Sequence, residues 1–117
     1  MIWKKVLVHV LAVLNFLPVF HELAHTLTAL VFGWEVQGWI ITGDYWAVKI
    51  SAPLNASLPQ LILLYLSGGL VQALIGFMLL VYTIKKGIFL PEEKLVIAFW
   101  SVLSIIYAIA ETTLTFI

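Results

Sequence analysis

Three stretches of this sequence are each long and apolar enough to cross a bilayer: Val6 to about Phe32, about Leu58 to Ile84, and Leu95 to Ile117. A crossing helix takes about 20 mostly apolar residues, and any excess is taken up by tilt. The whole chain has 117 residues, of which 63% are hydrophobic and 10% charged. Ordinary soluble domains run at about 45–50% apolar and about 25% charged. A chain this short leaves much of its surface outside, so it cannot hide that apolar excess from water. A water-soluble monomer is excluded on this ground. The charges balance to zero, with six lysines and no arginine against five glutamates and one aspartate. No basic face exists to hold a nucleic acid. Cysteine is absent, which removes disulfides, thiolate metal sites and thiol nucleophiles.

The segment between the first two spans, Trp34 to Ser51, is of another kind. It is rich in aromatic and β-branched residues and has Thr42-Gly43-Asp44 at its middle, a pattern that predicts a β-hairpin. Trp34, Trp39, Tyr45 and Trp46 suit a membrane–water interface. Pro53 and Pro59 bracket the turn into the second span, and Pro91, Glu92 and Glu93 fit the first turn of the third helix. The lysine-flanked start resembles a signal peptide, but no small-x-small cleavage site follows, so the segment is expected to remain as a span. The expected architecture is an all-α membrane protein, one domain over residues 1–117, with three transmembrane helices and a hairpin between the first and second. Lys4, Lys5, Lys85, Lys86 and Lys94 fall on one side of such a chain and Lys49 alone on the other. The positive-inside rule then puts the N-terminus in the cytoplasm.

The first span contains His21-Glu22-Leu23-Ala24-His25. Two histidines four apart on a helix share a face and can grip one ion, and a glutamate beside the first can take a proton from a water on that ion. Zn²⁺ is the expected metal, because it accepts nitrogen and oxygen ligands and a catalytic site keeps an open water position. A glutamate within a span is costly, so its presence points to function. The bland reading is a polar patch that holds helices together. His9 lies about 18 Å from His21 along a helix and cannot share the ion.

His21-Glu22-Leu23-Ala24-His25 in a membrane helix, with Ala29, Gly33 and Val36 and then a hairpin, resembles the site-2 protease family of intramembrane zinc metalloproteases. Ser67-Gly68-Gly69-Leu70-Val71-Gln72 resembles that family's Gly-Pro-x-x-Asn segment, with Gly69 for the proline and Gln72 for the asparagine. The resemblance covers roughly residues 15–80. It implies zinc held by His21 and His25, Glu22 as catalytic base, and a membrane-protein helix as substrate. The family's usual third ligand is an aspartate followed by glycine on a later span. This chain has no such pair, and its one aspartate is Asp44.

Depth along the helices offers Glu111 instead. His21 lies 16 residues beyond Lys5, Glu111 lies 17 beyond Lys94, and Gly69 lies 16 before Lys85. At 1.5 Å per residue the first two are about 24 and 26 Å from the same face. Glu111 is therefore the expected third ligand, with Asp44 of the hairpin as competitor and a buried protonated acid as the structural alternative. Gly68 and Gly69 would let the helices approach closely. Asn15 and Gln72 are expected either as oxyanion or substrate contacts or as helix–helix bonds. A second copy of the chain is an expected neighbour, because three helices are few to shield a metal from lipid. The rival function is a non-catalytic membrane protein that binds metal or a partner helix through a relic site.

Overall fold

The computed structural model describes residues 2–115, so the end of the third expected span, residues 116 and 117, lies outside the described residues. The elements run α1 (Ile2–Phe16), α2 (Val19–Val31), β1 (Glu35–Ile41), β2 (Trp46–Ser51), α3 (Leu58–Lys85) and α4 (Pro91–Thr115). The helix–hairpin–helix–helix order matches the expected one. The first span differs. It is two helices bent by 69° at a break over Leu17 and Pro18, a sharper interruption than a single span over 6–32 with a proline kink. Proline has no N–H to give to the turn before it, and its ring clashes with that turn's carbonyl. The Glu22 N–H bonds the Pro18 carbonyl at 3.0 Å and starts the second helix. α3 and α4 are long and apolar enough to cross a membrane, and the bent pair makes a third if counted as one span.

Local signals account for the other boundaries. α2 ends at Gly33, whose left-handed φ of 75° turns the chain while the Trp34 N–H bonds the Ala29 carbonyl at 2.9 Å. The hairpin pairs Glu35 with Ser51 and Ile41 with Trp46, and a bulge between Val36 and Gly38 shifts the register. Gly38 takes φ 140° there. α3 opens with a capping box, Ser57 and Gln60 bonding each other's backbone N–H, with Pro59 in the first turn. At the start of α4, Glu93 accepts the Leu90 N–H and the Lys5 ammonium, each at 2.9 Å. His9 lies 3.8 Å from the other Glu93 oxygen. The start of α1 and the start of α4 therefore share one end of the bundle.

The packing is inside-out relative to a soluble protein. Leu70, Leu74, Phe77, Met78, Phe99, Ile106 and Ile109 lie on the outside. Asn15, His21, Glu22, Gln72, Thr83, Ser101 and Ser104 are buried. Such a surface suits lipid, and small polar residues at helix interfaces replace a hydrophobic driving force that lipid does not supply. One apolar cluster joins Val8, Ala12, Leu79, Phe89 and Ile97, and a second joins Ala29, Trp34 and Leu64 under the hairpin. Trp34 is thus packed inside, against the Phe32 ring at 5.1 Å.

Among the described residues, α3 packs against α1, α2 and α4, whereas α2 and α4 make no backbone contact with each other. The α3–α4 approach depends on Gly69, where a Cβ would overlap the Thr112 hydroxyl and lie 3.3 Å from the Ala108 carbonyl. Gly69→Val is expected to destabilise the protein by about 1–3 kcal/mol through overpacking. Thermal unfolding in detergent measures this, and an unchanged midpoint would show that the helices need no close approach there.

Candidate metal centre

The site lies where α2, α3, α4 and β2 meet. His21 and Glu22 sit in the first turns of α2, just past the break, and both are buried. His25 follows one turn later. The two rings lie edge to face, with centroids 4.8 Å apart. Gly68 makes room for them: a Cβ there would stand 2.5 Å from His25 Nε2 and 2.7 Å from His21 Nε2.

Each ring is held by its Nδ1. His25 Nδ1 lies 2.7 Å from the Leu64 carbonyl oxygen, which also accepts the Ser67 hydroxyl at 2.8 Å. A carbonyl only accepts, so His25 Nδ1 carries the proton and Nε2 presents a lone pair. His21 Nδ1 lies 2.9 Å from Gln72 Oε1. The two Nε2 atoms face each other at 3.1 Å, and His21 Nε2 is also 3.1 Å from Glu111 Oε1. Acceptors this close repel unless positive charge lies among them, as a proton on His21 Nε2 or as a metal ion. Zn²⁺ with ligands at about 2.0–2.1 Å in a tetrahedron would set neighbouring donors about 3.3 Å apart. The donor types suit such an ion, and the two distances from His21 Nε2 are of that size.

Among the described residues, His21, Glu22 and Glu111 form a group that could hold a metal ion, their ligand atoms all lying within 4.8 Å of one another. His25 is not in that group and reaches the cluster through His21. Glu22, expected as the base and not a ligand, belongs to that group. Glu111 is half-buried and meets His21 across the gap between α4 and α2. Asp44 is exposed in the hairpin turn, outside the group, and its N–H bonds the Thr42 hydroxyl at 3.2 Å.

Asn15 and Gln72 are fully buried and bond each other's backbone. Asn15 Nδ2 donates to the Gln72 carbonyl at 3.0 Å, and Gln72 Nε2 donates to the Asn15 carbonyl at 2.9 Å. Both ends of the Gln72 amide are engaged, the oxygen by His21 Nδ1 and the nitrogen by the Asn15 carbonyl. It is a helix–helix bond that also holds His21. Tyr107 was not foreseen. It sits one turn before Glu111 on α4, its hydroxyl lies against the Glu111 carboxylate, and its ring is 6.5 Å from the His21 ring. The four-residue spacing of Tyr107 and Glu111 was the available signal.

A cavity of about 370 Å³ opens onto these groups, walled by Leu64 and Tyr65 of α3, Glu111 and Thr112 of α4, and Trp46 to Val48 and Ile50 of β2. The hairpin is pinned over α2 by a bond from Trp39 Nε1 to the Thr26 hydroxyl at 2.8 Å, and Thr26 in turn donates to the Glu22 carbonyl at 2.9 Å. The Val48 N–H faces the Glu22 carboxylate, so the unpaired edge of β2 looks into the cavity. No known family model, no curated protein and no solved structure matches this chain.

Proposed function

We propose that this protein is a multi-pass intramembrane zinc metalloprotease, similar to the site-2 proteases, that cleaves membrane-embedded protein segments. The observation that carries the reading is that His21 Nε2 lies 3.1 Å from both His25 Nε2 and Glu111 Oε1, with Glu22 in the same cluster. His21, His25 and Glu111 would hold the ion. Bound zinc supplies a water acidified toward neutrality and polarises a carbonyl. Glu22, beside the ligands, would be the residue that takes up a proton and gives it to the leaving nitrogen. A helical peptide bond is shielded by its own hydrogen bonds, so a substrate must unwind to be cut. The free edge of β2 offers backbone partners for the extended segment. The five-lysine end of the bundle, N-terminus included, lies on the cytoplasmic side in this reading.

One observation favours a second reading. Glu22 belongs to one possible ligand group with His21 and Glu111, so a site with both glutamates on the ion, closed to water, would bind metal without catalysis. Protein purified in detergent without chelators is expected to carry about one zinc per chain, to lose it to a chelator, and to cleave a reporter helix only when zinc is restored. A metal-free preparation that does not take up added zinc would overturn both readings. Bound zinc without turnover would select the second.

A further inference from the structure

We infer that Gln72 is a positioning residue that fixes the proton of the His21 imidazole on Nδ1, and that the break between α1 and α2 is what allows it to do so. The inference rests on the metal-centre reading above but concerns only this chain's own hydrogen bonds. Gln72 follows Gly68 by one turn of α3 and therefore lies on the same face. Gly68 leaves room for the imidazoles, and Gln72 reaches the ring of the first one.

The orientation of the Gln72 amide is forced. Its Nε2 lies 2.9 Å from the Asn15 carbonyl oxygen, which can only accept, so the NH₂ group must point there. Oε1 then faces His21 Nδ1 at 2.9 Å and can itself only accept. Nδ1 must therefore carry a proton, and in the neutral ring Nε2 is then the bare nitrogen. Nε2 is the atom turned toward His25 and Glu111. The opposite tautomer would set a lone pair against Oε1 at one end and a proton into the ligand cluster at the other.

The Asn15 carbonyl is available because of where α1 stops. Asn15 is the penultimate residue of α1, and the last four carbonyls of a helix have no amide from a following turn. In an unbroken helix that carbonyl would take the N–H four residues on. The break over Leu17 and Pro18 releases it to Gln72, while the Asn15 side chain returns a bond to the Gln72 carbonyl at 3.0 Å. A backbone interruption in one helix thus sets a proton on an imidazole in the next, through one side chain of a third. His25 needs no such relay, because the Leu64 carbonyl orients it directly.

The test reads the tautomer in metal-free protein. ¹⁵N-histidine-labelled chain in micelles, with the rings neutral, is studied by long-range ¹H–¹⁵N correlation, His21 being assigned through His21→Gln. Wild-type protein is expected to show His21 protonated on Nδ1. Gln72→Leu is expected to mix the His21 tautomers and to weaken zinc binding about 10- to 100-fold, while His25 keeps its Nδ1 proton. Gln72→Glu restores an acceptor opposite Nδ1 and should recover the tautomer and most of the affinity. Wild-type His21 protonated on Nε2 would overturn the inference without any variant. So would Gln72→Leu with tautomer and zinc affinity unchanged, or Gln72→Glu behaving like Gln72→Leu. A locked wild-type tautomer in a chain that binds no zinc would sink the metal reading and leave this one standing.

Discussion

Glu22→Gln is expected to leave zinc bound while cleavage falls by about 10²–10⁴-fold, the contribution usual for a positioned general base. The substitution keeps the shape of a side chain that is 4% exposed and faces the Val48 N–H, so the fold and the hairpin contact survive. What is lost is the ability to take a proton. The same variant separates the two ways of arranging the cluster. If Glu22 is a ligand, as its place in the group with His21 and Glu111 allows, zinc content falls together with activity. Metal analysis and a cleavage assay on one preparation give both numbers, and undiminished turnover would remove Glu22 from the chemistry.

Gly68→Ala is expected to damage the site more than the fold. The added methyl would stand 2.5 Å from His25 Nε2 and 2.7 Å from His21 Nε2. Imidazole ends can yield where a backbone cannot, so the helices keep their packing and the ligand atoms take the displacement. A shift on the order of 1 Å in a reacting group costs about 10²-fold in rate, and turnover should fall by that much, with zinc held more weakly. Gly87→Ala is the control, because nothing lies within 4 Å of a Cβ there. Zinc affinity and turnover equal to wild type in Gly68→Ala would mean that the two imidazoles do not converge on an ion at this point.

Much of the architecture was legible in the residues. The apolar runs located α3 and α4, and the Thr42-Gly43-Asp44 punctuation among β-branched residues located the hairpin. Counting residues from the lysines set His21, Glu111 and Gly69 at one depth. The structure brings His21 to Glu111, and sets the Gly68-Gly69 pair against the imidazoles and Thr112. What was not legible depends on tertiary partners. A proline in a helix predicts a weakened turn, but whether the chain kinks or breaks depends on what takes up the freed carbonyls. Here the Gln72 amide takes one of them. The same contact selects the helix–helix bond from the two roles expected of Gln72 and Asn15, since an amide's two ends read alike until their neighbours are placed. Tyr107 was missed because its four-residue spacing from Glu111 marks a shared helix face but not what its hydroxyl meets.

The separation of α2 from α4 has a mechanical consequence. With no main-chain packing of their own, these helices are tied across the cavity by the His21–Glu111 pair, so an ion gripped there works as a rivet. Stripping it should free the later turns of α4, around Tyr107 to Leu114, before any other part of the bundle. Amide exchange would then quicken first in that stretch, marking it as the side on which the cavity widens.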